Sequence, residues 1–561
     1  MKDVTAKAGI SLTGSMIAKM MKKSFIGHPL RRADPAIRIE FGPSFNGNPQ
    51  SLLSCSNYLT FSLLAGLYLL PFMRVLLPWT NEGTLASGAV RVLRGQVFAR
   101  DFFEVMGPGT FYWLASFFKV FGPTFLALRI CLFITSLGTG LLMYFLASRI
   151  CSQYRFLPCI LLAGTCYGLQ WPGASHHVDS NFFALLSVAC AVLWWEKRGT
   201  GSVVAAGAIA GLATCIHQPK GLYLLIALAC WLMVQIRRRE ATTSTLIALI
   251  CSYCGVGVLV LSYFWSQGAL KSLIYANLVW PSQHYDAVNR VPYGLGIFHE
   301  YWHQFASGGG NSLGSVTLAC VLIIPFLLIS GLPLVLLAAS MRYKWKAASA
   351  TVTLFLLCGI AIWLSEFHRR DIYHLVFGSP LLLILLCSML IENQLRMSRV
   401  ALTVLAVTGS CLVVFNLFLV LTAHSVSTRV GTIALYKDNP SLGFLEAHTV
   451  PGEEIFAYPY CPIYYFLSAT TNPTRYLTMT YNYNTEGEFK DAIRTLEEQK
   501  VRIVLWDTNF LEKTAPIVFS EAARRPSYGY LMENYLTAHY RTVNEANGIR
   551  IMERKEADRA P

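Results

Sequence analysis

Charge is scarce in this chain. Only 14% of its 561 residues are Asp, Glu, Lys or Arg, against roughly a quarter in a soluble globular domain. With 54% hydrophobic residues and a mean hydropathy of +0.45, this excludes a soluble globular class and implies a membrane protein. Acids are scarcest in the middle, where residues 57–423 hold only eleven. The chain also lacks an N-x-S/T acceptor, which favours a bacterial source over a secretory-pathway one. No cytoplasmic turn carries G-x-x-x-x-G-K-[ST], so a nucleotide substrate on the inner face has no support. An apolar h-region near the start is missing, so the N-terminus does not read as a signal peptide. Fifteen cysteines are present, but most fall inside apolar runs, among them Cys131, Cys190, Cys230, Cys320, Cys358, Cys387 and Cys411. They read as small buried hydrophobes, and neither a disulfide framework nor a zinc site follows from them.

What is present is a series of apolar runs long enough to cross about 30 Å of hydrocarbon. They lie near 57–79, 124–147, 156–173, 180–195, 201–216, 220–236, 243–265, 314–340, 347–365, 373–391 and 400–423. The expected fold is therefore a polytopic α-helical membrane protein of about eleven transmembrane helices, N-terminus inside and C-terminus outside. Residues 1–56 form a basic, flexible cytoplasmic arm with eight Lys/Arg and three acids. Arg149/Arg155, Lys197/Arg198, Arg237/Arg238/Arg239, Arg342/Lys344/Lys346 and Arg396/Arg399 all fall on inner turns, as the positive-inside rule requires. The net charge of +15 thus reports topology rather than nucleic-acid binding. Of the eleven acids, only Glu196, Glu240 and Glu392 lie inside. Glu82, Asp101, Glu104, Asp179, Asp286, Glu300, Glu366 and Asp371 lie outside, where any chemistry is expected.

Two outer loops are long. Loop 80–123 contains Phe111-Tyr112-Trp113-Leu114-Ala115-Ser116-Phe117-Phe118, which suits an interfacial helix. Loop 266–313 is rich in aromatics and histidine and ends in Gly308-Gly309-Gly310. Residues 424–561 have a soluble composition. Strands are expected at Glu454–Tyr458 and Arg502–Trp506, an amphipathic helix at Phe489–Gln499 between them, and a closing hairpin from Tyr540–Val543 and Gly548–Glu553. This makes a small extracytoplasmic α/β domain.

Four outer stretches carry candidate chemistry. In the first, Arg100-Asp101-Phe102-Phe103-Glu104 precedes a Gly-Pro-Gly turn, and two acids three apart share a face if helical. Sugar transfer to a hydroxyl needs one carboxylate as general base; the structural alternative is that Asp101 caps a turn or pairs with Arg100. In the second, His177 and Asp179 enter a span, where Asp179 and Ser180 suit an N-cap. The same H-x-D grouping suits sugar hydroxyls or a divalent metal, and no cofactor is assigned. The third is His217-Gln218-Pro219-Lys220, whose lysine either snorkels or faces a phosphate. The fourth is Glu366 to His374, where Arg369 and Arg370 break the charge trend and offer bidentate phosphate recognition beside Asp371 and His374. Pairing of either arginine with Glu366 or Asp371 is the alternative there.

These residues resemble the C superfamily (GT-C) of polyprenyl-phosphate-sugar-dependent membrane glycosyltransferases, with the aminoarabinose-transferase-like and protein-mannosyltransferase-like bacterial members nearest in layout. The likeness covers the span architecture over 57–423 and the Arg-Asp-Phe…Gly-Pro motif of the first outer loop. It implies an inverting transfer with Asp101 as base, Glu104 assisting, and Arg369, Arg370 and Lys220 holding the carrier phosphate. The expected partners are a polyprenyl-phosphate-linked sugar donor, a lipid, glycan or protein acceptor, and membrane lipids, with no nucleic acid. The expected location is the bacterial inner membrane, with the site on the outer side. A lipid-linked sugar or polymer transporter and a polysaccharide ligase or polymerase are the competing classes. A transporter would place its ionisable residues near the midplane.

Overall fold

Apolar stretches uninterrupted by charge can satisfy their backbone in hydrocarbon only as helices. The computed structural model, which describes residues 49–76, 81–151, 154–166, 173–285, 289, 291, 293, 325, 327–337, 349–392, 396–515 and 525–555, is built on that rule. In chain order the helices are α1 (Pro49–Leu69), α2 (Glu82–Leu93), α3 (Pro108–Phe121), α4 (Phe125–Ala147), α5 (Phe156–Cys166), α6 (His176–Lys197) and α7 (Thr200–Ile216). There follow α8 (Gln218–Arg237), α9 (Thr243–Ser266), α10 (Leu327–Leu337), α11 (Ala350–Ser365), α12 (Ile372–Gly378), α13 (Pro380–Glu392) and α14 (Arg396–Leu421).

Among the described residues, six helices are long and apolar enough to cross a membrane: α1 with its continuation to Met73, α4, α6, α8, α9 and α14. The pair α12–α13, bent by 66°, makes a seventh if it counts as one span. Helices α5, α7, α10 and α11 are apolar but shorter. Each expected run therefore contains an apolar helix, though not each is a full-length span. Of these six, α6 is the most enclosed, with 72% of its apolar window buried, whereas α9 buries 6%. Cys251 and Cys254, spaced C-x-x-C, lie exposed on α9, and every described cysteine is a free thiol. The arm over 1–48, the end of loop 266–313 with its glycines, and the turn with Arg342, Lys344 and Lys346 lie outside the described residues.

Loop 80–123 holds two helices. The expected interfacial segment is α3. Helix α2 was not anticipated, because its Gly, Ser and Ala content hides its apolar face. Helix α6 starts at His176, four residues before the expected span, and its N-cap is Ser175, whose Oγ accepts from His177 N at 3.2 Å. Asp179 and Ser180 therefore lie inside the first turn and do not cap it, leaving the Asp179 carboxylate free to point elsewhere.

After α14 the chain forms a β-hairpin, β1 (His424–Thr428) with β2 (Gly431–Leu435), then α15 (Pro440–His448). The sheet that follows contains the expected elements: β3 (Ile455–Tyr458), α16 (Glu486–Glu498), β4 (Ile503–Asp507), then α17 (Leu531–His539), β5 (Tyr540–Ala546) and β6 (Ile549–Arg554). Its order is β3-β4-β6-β5, with β3 and β4 parallel and the remaining pairs antiparallel. Helix α16 is the crossover and buries Phe489, Ala492 and Leu496 on one stripe. A capping box of Thr485 and Glu488 starts it. Asn547-Gly548, both at positive φ, close the β5–β6 hairpin as the right-handed strand twist demands.

The α/β region shares a core with α2 and α3. Phe118 of α3 stacks on Phe466 at 5.6 Å, and Arg91 of α2 donates to the carbonyls of Asn472 and Thr474. A Cβ on Gly83 would run into the Ile463 backbone, so this contact requires glycine. Loop 80–123 and the C-terminal region thus pack together around one apolar core, on the end of the bundle where α6 and α8 begin.

Candidate active site

The polar residues of the bundle collect at that end. Burying an ion is costly unless it is paired, so each charge there should find a partner. Lys220, on the first turn of α8, has no exposed side-chain surface. Its Nζ donates to Asn181 Oδ1 at 2.7 Å and lies 2.6 Å from Glu366 Oε1. Glu366, at the end of α11, is equally buried, and its Oε2 lies 2.9 Å from His177 Nδ1. Ion-pair distances are met on both sides, yet neither carboxylate oxygen is aligned for a hydrogen bond. The lysine therefore does not snorkel; it is held inside.

The turn from 366 to 371 packs beside this pair. Arg369 Nε donates to Asp371 Oδ2 at 2.6 Å, and its Nη1 donates to Asn289 Oδ1 at 2.8 Å. Asp371 caps α12 by accepting from His374 N at 3.0 Å and also lies 2.6 Å from His374 Nδ1. Its carboxyl is held well below the usual range; the His374 and Arg369 charges and hydrogen bonds outweigh the opposing effect of burial. Arg370 points away from this network and lies over the Phe367 ring at 4.8 Å. Of the two arginines, only Arg369 joins the buried network, and it does so by pairing within its own turn.

The histidines surround this centre. His177 lies 4.8 Å from His374 and 5.2 Å from His217, centroid to centroid. Asp179 accepts a 2.6 Å hydrogen bond from Thr110 Oγ1 of α3, which ties α3 to α6. The Gly-Pro-Gly turn matters in the same way. A Cβ on Gly107 would meet the carbonyls of Cys215 and Ile216, so glycine lets α3 lie against the end of α7, next to His217.

Asp101 and Glu104, the two acids of loop 80–123 beside the Gly-Pro-Gly turn, part company. Asp101 is partly exposed, forms a bidentate pair with Arg100 (2.8 Å to each oxygen) and accepts from Val97 N at 2.7 Å. Its pKa is lowered, first by the Arg100 hydrogen bond. Arg100 also donates to Gln267 O at 2.8 Å. These two residues close a surface turn. Glu104 is buried, and its carboxylate takes a hydrogen bond from Val105 N at 2.9 Å. Desolvation pushes its pKa up to about 7. Tyr460 and Tyr483 lie within electrostatic reach of both Glu104 and Arg369, and Tyr483 Oη donates to the Asn289 oxygen that Arg369 also contacts.

The structure therefore brings together His177, His217, Lys220, Arg369, Asp371 and His374, with Glu104 and Arg369 both within electrostatic reach of Tyr460 and Tyr483 and with Asp179 bonded to Thr110. It leaves Arg100, Asp101 and Arg370 at the margin. Several partners escaped the sequence reading. Glu82 and Arg129 form a fully buried ion pair, and Glu82 also accepts from Ala174 N at 2.8 Å. An arginine inside the apolar run of α4 was the signal that such a partner existed. Asn181, Asn289, Tyr460 and Tyr483 gave no local signal, because their role depends on contacts distant in sequence.

The sequence matches no described protein family and no curated protein sequence. The fold does match solved structures. Over 91% of this chain and 100% of the other, it superposes on ArnT from Cupriavidus metallidurans in the apo state, with a TM-score of 0.53 and 13% identity. The same protein bound to undecaprenyl phosphate matches over 92% of this chain and 100% of that one, with a TM-score of 0.51 and 12% identity. The chain has an ArnT-like fold. The likeness extends over both the bundle and the α/β region. At this identity the ArnT likeness concerns the fold.

Proposed function

We propose that this protein is an integral-membrane glycosyltransferase that moves a sugar from a polyprenyl-phosphate carrier to an extracytoplasmic acceptor hydroxyl, with inversion. The observation that carries the reading is the pairing of one poised acid with one cationic layer. Glu104 is a buried carboxyl with a pKa near 7, electrostatically linked through Tyr460 and Tyr483 to Arg369. The ArnT-like fold supports it further, since that protein was crystallised with undecaprenyl phosphate.

In this mechanism Glu104 is the general base. It takes the proton of the acceptor hydroxyl as that oxygen attacks the anomeric carbon from the face opposite the carrier. A base works best when its pKa is near the operating pH, and Glu104 meets that condition better than Asp101, whose carboxylate is committed to Arg100. As the sugar–phosphate bond breaks, negative charge grows on the leaving phosphate. Arg369 and Lys220 are the cations placed to stabilise it. Asp179, His177, His217 and His374 line the sugar or acceptor side, and Asp371 orients Arg369 and His374. Asp101 and Arg100 hold the turn that carries Glu104.

The test is donor profiling. Purified protein is incubated with a panel of polyprenyl-phosphate sugars and an extract of envelope acceptors, and release of the lipid phosphate is measured. Release from at least one donor, abolished by Glu104→Gln, is expected. Absence of release from every donor, or full turnover by Glu104→Gln, overturns the assignment.

A further inference from the structure

Helix α2 carries two arginines that meet no acid among the described residues. Ser87, Arg91 and Arg94 follow one another at helical spacing and share one face. That face forms a wall of a cleft. Opposite it lie the segment 469–472, the turn between β1 and β2 at Val430, and Pro123 in the turn between α3 and α4. Arg91 is only 7% exposed. Its Nη2 donates to the carbonyls of Asn472 and Thr474, and Nε and Nη1 donate to no described residue. Arg94 Nη1 donates to Thr471 Oγ1 at 2.9 Å, with Nε and Nη2 left over.

The buried cations Arg129, Lys220 and Arg369 each meet a carboxylate, whereas Arg91 meets carbonyls. A buried charge without a counter-ion is costly, and a like charge one turn along the helix adds to the cost. Burial pushes the Arg91 pKa down to about 10, and the charge of Arg94 lowers it further. Asp101, which acts on Arg91 from a distance, is already bound by Arg100. An anion with several oxygens, seated between the two guanidinium groups, meets both deficits. The planar donor fork of arginine suits phosphate in this way.

The surroundings of the cleft indicate where such a phosphate comes from. Pro123 stands two residues before α4, one of the helices long and apolar enough to cross a membrane. The Val430 carbonyl accepts from Phe125 N at 2.9 Å, which ties the other wall to the same helix end. Val120 and Phe121, at the end of α3, are 72% and 51% exposed, as suits side chains that meet a bilayer surface. Val90, Pro123, Val430 and Ala469 make part of the lining apolar beside the two charges. We propose that this cleft binds the phosphate of a membrane-lipid headgroup, held by Arg91 and Arg94, with the lipid bracing the seam between α2 and the α/β region. The cations assigned to the carrier phosphate, Lys220 and Arg369, do not line the cleft. The inference therefore stands apart from the transferase reading, and binding is read without turnover.

The experiment uses the full chain, purified in a maltoside detergent, which carries no phosphate, and stripped of lipid. Tm and native mass spectrometry follow binding of three probes: short-chain phosphatidylglycerol, diacylglycerol with the same chains, and inorganic phosphate. The expected result is a saturable rise in Tm with phosphatidylglycerol and none with diacylglycerol, inorganic phosphate acting only at far higher concentration. Arg94→Gln removes charged hydrogen bonds to the phosphate and should weaken lipid binding roughly tenfold or more. Its lipid-free Tm should stay close to that of the wild type, because Arg94 is exposed. Arg91→Lys, which keeps the charge but loses the fork, should weaken binding as well; if it does not fold, Arg94→Gln decides the matter. Arg541→Gln removes an exposed charge on β5, away from the cleft, and should bind as the wild type does. Absence of a Tm response to phosphatidylglycerol, an equal response to diacylglycerol, wild-type affinity in Arg94→Gln, or an equal loss in Arg541→Gln overturns the site. Inorganic phosphate as effective as the lipid overturns the lipid as its source.

Discussion

Lys220 Nζ lies 2.6 Å from Glu366 Oε1, and neither side chain is exposed. The pair joins the start of α8 to the end of α11, two segments about 145 residues apart in sequence. Removing one partner of a buried pair strands the other charge, at a cost of roughly 3–5 kcal/mol. Lys220→Met should therefore lower the Tm of the detergent-solubilised protein sharply. The double variant Lys220→Met/Glu366→Leu should recover much of the loss, since no bare charge remains. Additive effects of the two changes would show that the pair is not coupled.

The Glu104 carboxyl should set the pH profile. With its pKa raised to about 7, it is protonated below that pH and acts as a base only above it. Turnover is expected to rise tenfold per pH unit well below 7 and to level off above. A profile flat from pH 5 to 9 would remove Glu104 from the chemistry.

The same shift makes a stability prediction of definite sign. Glu104 binds its proton more tightly folded, at a pKa of about 7, than unfolded, at the ordinary glutamate value of 4.5. Its contribution is therefore fully present below pH 4.5 and is lost as pH rises through 7. Glu104→Gln, which cannot ionise, should raise Tm relative to wild type at pH 8–9 and change it little at pH 5. Thermal unfolding at both pH values checks this.

Asp101→Asn should matter less. Its partner Arg100 is substantially exposed, and solvent screening leaves an exposed pair little to contribute. Asparagine can still accept from Val97 N and keep the turn. Most of the turnover should persist, against near-complete loss in Glu104→Gln. The reverse ranking would return the role of base to Asp101.

Gly107→Ala should be costly although it adds only one carbon. That carbon would meet the carbonyls of Cys215 and Ile216. Helix α3 would have to move off α7, taking Thr110 away from Asp179. Lower Tm and lower turnover together are expected. An unperturbed variant would show that the turn has room to relax.

The C-terminal sheet was legible because its signals are local. The alternation in Ile455–Tyr458 and Ile503–Asp507, the stripe of α16 and the Asn547-Gly548 turn each depend on neighbours in sequence. The apolar runs were legible for the same reason. Helix α2 was not, because small residues carry little hydropathy even where their face is buried. At the site, charge asymmetry directed attention to Asp101, Lys220 and Arg369, and adjacency in sequence offered Arg100 and Asp371 as partners for the first and last, but Glu366, distant in sequence, could not be assigned to Lys220.

Composition and charge placement by themselves determined that this is a multi-helix membrane protein with an α/β tail and its acids gathered toward one side. Hydrophobicity and the cost of unpaired backbone in lipid act on every residue regardless of its distant neighbours. Tertiary packing alone decided what each of the two acids in the first loop does. Arg100 draws Asp101 to the surface, whereas the core between α3 and the α/β region encloses Glu104, and desolvation by that core raises its pKa. Burial depends on which surfaces meet in the folded chain, so three residues of spacing in the sequence become two different chemical environments.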